Sequence, residues 1–125
     1  MICLVLFISS CDSESCSEEI ILNNTSSDLY INFNSLNDSF NNQFIIEKQS
    51  RKTINQVKCD LGGVVVNYSV YDSIYIQNST NDILKVYKDD TEGKNIYNIS
   101  EYWYVNETSK NHFVYTYEIT EEDLE

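Results

Sequence analysis

The side chains able to do chemistry are few and do not converge along the chain. His112 is the only histidine, and so the only side chain whose unperturbed pKa lies near neutrality. It sits between Asn111 and Phe113 at the start of an alternating run, which reads as an exposed histidine at a strand end. A Ser–His–Asp set carries no information in a chain with 15 serines, and neither a Gly-x-Ser-x-Gly elbow nor a Gly-rich phosphate loop is present. Asp89, Asp90 and Glu92 before Gly93 could offer oxygens to Ca²⁺, but they lack the ordered spacing of an EF-hand loop. They read as a solvated hairpin turn. No Cys-x-x-Cys occurs and His112 is remote from Cys59, so neither a metal nor a cofactor is expected. The reading is of a protein without catalytic residues. The best binding candidate is aromatic: on a strand, Tyr102 and Tyr104 share one face and Trp103 takes the other. With Trp103 inward, the two tyrosines would form a platform that stacks a sugar ring or fills a protein interface. The plainer alternative is cross-strand pairing and nothing more.

The elements that must position these residues are strands. The 125 residues are one domain's worth of chain, with no Ala, no Pro and ten tyrosines. Short apolar runs alternate with Asn-, Ser- and Asp-rich separators, which are turn chemistry. Phe113, Tyr115, Tyr117 and Ile119 form one inward set, Leu29, Ile31 and Phe33 another, and Val64, Val66, Tyr68 and Val70 a third. Eight to ten strands without a helical period predict an all-β, antiparallel, Ig-like β-sandwich, with a small open β-barrel as the alternative. The net charge of −12 argues against a nucleic-acid partner, because such sites need a basic face. Residues 118–125 hold five acids and read as a fraying acidic tail. Seven Asn-x-Ser/Thr sequons follow from the composition.

The amino-terminal run Met1 to Ile8 is apolar throughout, too short to span a bilayer, and leads through Ser9 and Ser10 to Cys11. Ile8-Ser9-Ser10-Cys11 resembles the lipobox of bacterial lipoproteins. The resemblance implies a signal peptide over residues 1–10, acyl chains on Cys11 and a membrane held through that anchor. No basic residue precedes Lys48, so a first buried strand over residues 4–8 stands as the alternative. Asp12, Glu14, Glu18 and Glu19 follow, and residues 11–18 read as an acidic tether before a domain over residues 19–125. Acids placed so also resemble the surface-export signal of Bacteroidota lipoproteins, against the simpler reading of a linker. With Cys3 in the leader and Cys11 acylated, Cys16 and Cys59 remain as a candidate disulfide. A bridge there would contribute roughly 3–4 kcal/mol by loop entropy. Placing Cys16 in a tether favours free thiols instead.

The second half also carries a resemblance. Ile83-Leu84-Lys85-Val86-Tyr87, Gly93-Lys94-Asn95-Ile96-Tyr97-Asn98, Tyr102-Trp103 and the ending Tyr115 to Leu124 look like small uncharacterised lipoproteins of Bacteroidota. The likeness implies a β-sandwich lipoprotein at the outer membrane or cell surface and brings no activity with it. The functions expected are a non-catalytic binding or structural module of the envelope, a glycan-binding domain using exposed tyrosines, or an acidic inhibitor or immunity protein against a basic effector. An edge strand within residues 102–105 or 113–119 could pair with a protein partner.

Overall fold

The computed structural model describes residues 14–37, 39, 41–61 and 66–125. Within them the chain forms eight strands: β1 (Glu14–Asn24), β2 (Leu29–Asn34), β3 (Asn42–Ile46), β4 (Ser50–Leu61), β5 (Ser73–Gln77), β6 (Ile83–Tyr87), β7 (Tyr104–Ser109) and β8 (His112–Thr120). One helical turn, α1 (Ile99–Tyr102), precedes β7, and a 3₁₀ turn at Glu121–Leu124 follows β8. Two four-stranded sheets face each other, in the orders β4-β1-β8-β7 and β3-β2-β5-β6. The expected all-β sandwich is the fold. All pairings are antiparallel except one: β1 and β8 run parallel, with Cys16 opposite His112 and Asn24 opposite Thr120.

Period-two alternation explains the core. Leu29, Ile31 and Phe33 of β2, Ile74 and Ile76 of β5, and Tyr117 and Ile119 of β8 are buried between the sheets. At roughly 1.5–3 kcal/mol per fully buried large side chain, this shared layer is the main force holding the sheets together. Asn81 (φ 65°) and Asn111 (59°), of a type that tolerates positive φ, close the β5–β6 and β7–β8 hairpins, and Gln49 (55°) turns the chain in the β3–β4 crossover between the sheets. Asn23, fully buried at the end of β1, ties two connections together. Its amide nitrogen donates to the carbonyls of Ser27 (2.8 Å), Ile46 (2.9 Å) and Glu47 (3.2 Å), and its oxygen accepts from Thr25 N and Oγ1.

Several expectations change. Residues 14–18, expected as tether, belong to β1, which is internal and hydrogen-bonded to β4 and β8 on its two sides. Of the strand expected over residues 64–70, the described part, 66–70, is irregular. The chain turns there, with Tyr71 N donating to Tyr68 O at 3.0 Å while Tyr68 sinks into the core. Residues 96–97 form a turn leading into α1, whose Asn98 cap accepts from Glu101 N. The acidic residues Asp89, Asp90 and Glu92 lie in a crossover between sheets, not a hairpin. The acidic C-terminus does not fray: Glu121 accepts from Ser26 N and Oγ at 2.6 and 2.8 Å, and Asp123 pairs with Lys94.

Candidate functional site

The aromatic platform expected at residues 102–104 does not form as a unit. β7 begins only at Tyr104, so Tyr102 closes α1 and packs half-buried against the core. Trp103 is 5% exposed, donates from Nε1 to Ile96 O at 2.7 Å, and lies 5.5 Å from the rings of both Tyr68 and Tyr117. It is a core residue whose one polar atom is satisfied internally. Of the three, Tyr104 alone is largely exposed, at 70%.

Tyr104 has other company, brought by register rather than by sequence neighbourhood. Tyr104 is opposite Thr116, Thr116 is opposite Ile20, and Ile20 is opposite Thr53, all on the outward face of the first sheet. One row away, Leu22 lies between Arg51 and Glu118. All of these but Thr53, together with Val114 and Glu18, line a groove of about 520 Å³. Its floor is aliphatic, its rim carries two carboxylates and one guanidinium, and Thr53 Oγ1 donates to Glu18 at 3.0 Å. Arg51 and Glu118 make no ion pair; the one ion pair among the described residues is Lys94–Asp123. Among the described residues no strand pairs with the outer edge of β7 beside the groove, and every residue of β7 is exposed. By contrast β8, also expected as an edge, lies between β1 and β7 and has no free side.

Cys16 and Cys59 are directly opposite on β1 and β4, with 4.0 Å between Cα atoms, and they form a disulfide. This replaces the expected free thiols, because Cys16 belongs to a sheet strand and not to a tether. His112 is half-buried and in register with Cys16, so the thiol nearest to it along the sheet is held in the bridge. No group of three His, Cys, Asp or Glu side chains suited to a metal converges among the described residues. Asp89, Thr91 and Lys88 turn their carbonyls to the buried Asn95 amide, which organises that acidic loop from inside. Cys11 and the lipobox-like segment lie outside the described residues, and no helix among those described is long and apolar enough to cross a membrane.

Sequence reasoning missed one charged group. Glu19, 6% exposed, faces inward and accepts from Tyr68 Oη at 2.6 Å and Asn55 Nδ2 at 3.0 Å. Burial, reinforced by the Glu19 charge, pushes the Tyr68 hydroxyl far above the usual tyrosine range, so it remains a neutral donor. The signal was present: Glu19 shares parity along the strand with Ile21, which is fully buried. The fold and these surfaces define an all-β sandwich with two solvent-facing sheet faces. No protein-family model matches the chain, and neither the curated proteins nor the solved structures contain a significant match to it.

Proposed function

We propose that the protein is a non-catalytic binding module of the bacterial cell envelope, held to the membrane by acyl chains on Cys11, with its protein partner seated on the groove beside Tyr104. The groove carries the reading, because an aliphatic floor beside a highly exposed tyrosine is the composition of an interface core. Its rim carries two carboxylates to one guanidinium on a chain of net charge −12, which favours a partner presenting Lys or Arg around an apolar side chain. An extended partner segment can also add to the β7 edge that no described strand pairs, placing alternate side chains over Tyr104 and Asn106. The Cys16–Cys59 bridge supports an exported protein, since disulfides persist in oxidising compartments.

Two arms test this. Fatty-acid labelling of the full chain beside Cys11→Ser is expected to mark the parent alone; label on neither removes the anchor. A photo-crosslinker at position 104, used on intact cells, is expected to capture a protein whose adduct fades at about 500 mM NaCl, where screening is strong. An adduct from position 30 on the opposite sheet, with none from 104, would assign the interface elsewhere.

A further inference from the structure

The outer face of the second sheet has a different chemistry. Ile31, Phe33, Ile74 and Ile76 point to the core, so Tyr30 and Asn32 of β2, Tyr75 and Gln77 of β5, and Gln43 of β3 point outward. The amides form a relay across three strands. Gln43 Nε2 donates to Asn32 Oδ1 at 2.7 Å, Asn32 Nδ2 to Gln77 Oε1 at 3.0 Å, and Gln77 Nε2 to Asn81 O at 3.1 Å. Each amide is thereby oriented, and the Gln43 oxygen at the head of the relay has no hydrogen-bond partner among the described residues. The Tyr30 and Tyr75 hydroxyls also lack partners among those residues, and neither ring pairs with another aromatic ring there. Beside the relay lies a hollow of about 310 Å³, whose lining includes Asn32, Asn34, Asn42, Gln43 and Tyr75. That volume falls at the small end of ligand sites.

We propose that this face binds an uncharged carbohydrate chain, with Tyr75 and Tyr30 as stacking surfaces and the Gln43–Asn32–Gln77 amides as hydrogen-bonding groups. The charge pattern selects the ligand class. No lining residue of the hollow and no member of the relay is charged, on a chain of net charge −12. An ionic ligand would find no counter-charge here. A purely apolar one would strip water from the Asn34, Asn42 and Gln43 amides without replacing their hydrogen bonds. A neutral sugar satisfies both conditions: its C–H face covers an aromatic ring, and its adjacent hydroxyls meet the donor and acceptor that an oriented amide presents side by side. The site is on the sheet opposite Tyr104 and does not depend on the groove reading.

Calorimetric titration of the full chain with maltohexaose, cellohexaose, mannohexaose and N-acetylchitohexaose tests this. At least one is expected to bind, with an affinity equal at about 50 and about 500 mM NaCl. Tyr75→Ala and Gln43→Ala should each weaken binding about tenfold, the loss of one stacking or hydrogen-bonding contact. Tyr75→Phe should restore most of it, and Tyr104→Ala should leave it unchanged. Should Tyr75→Ala prove unfolded by circular dichroism, Gln43→Ala, an exposed side chain on an edge strand, decides alone. The proposal is overturned when none of the four sugars binds at about 10 mM, far above the usual affinity range of a specific site. It is equally overturned when the folded Gln43→Ala and Tyr75→Ala chains bind as the parent does.

Discussion

Lys94 reaches from the crossover after β6 to the end of β8, where its ammonium donates to Asp123 at 2.7 Å and to Glu118 O at 2.6 Å. Thr120 N and Oγ1 donate to the same carboxylate at 2.8 and 3.1 Å. Burial works against ionisation of Asp123, but these donors outweigh it and hold the carboxyl below its usual range. A depressed carboxyl contributes stability that is present above the unfolded value of about 3.9 and is lost as pH falls through the folded value. Asp123→Asn is therefore expected to lower stability at neutral pH by about 1–3 kcal/mol, the cost of losing charged hydrogen bonds. The gap should close in acid below the folded value; coincident urea midpoints at pH about 7 would refute the assignment. Composition alone read this end as a tail, because the partner that orders Asp123 stands 29 residues away.

At the scale of elements, β1 decides the character of the first sheet. It is flanked by β4 and β8, so even its polar positions Ser17 and Glu19 are buried. Residues 14–18 resembled a tether because they are Glu, Ser and Cys, residues with little strand preference; pairing on both sides overrides that preference. The disulfide joins β1 to the edge strand β4. Reducing it, or replacing Cys59 by Ser, is expected to lower the denaturant midpoint by an equivalent of about 2–4 kcal/mol. Peptide mapping of the oxidised protein should recover Cys16 and Cys59 in one linked species. Recovery of both as free thiols would remove the bridge and, with it, the support for an oxidising compartment.

Over the whole molecule, twenty acids face eight bases, and one ion pair joins them among the described residues. Such a chain repels itself, and salt relieves the repulsion. The thermal midpoint is expected to rise between about 20 and about 500 mM NaCl, as followed by circular dichroism. A midpoint that falls would mean that attractive surface pairs dominate instead. What the amino-acid sequence determined alone was whatever has a short range. Alternation along residues 29–33 and 113–119 specified strands and their inward sets, and an Asn-rich separator specified the turn at Asn81. The tertiary structure decided which of those local pieces meet. Tyr104 gained Ile20 and Leu22, Trp103 went to the core, Cys16 met Cys59, and Gln43, Asn32 and Gln77 joined in one relay. Period-two patterning fixes the face on which a side chain lies, but its neighbours on that face come from strand order and register. Those arise from burial and hydrogen bonding summed over both sheets, which no local window of sequence contains.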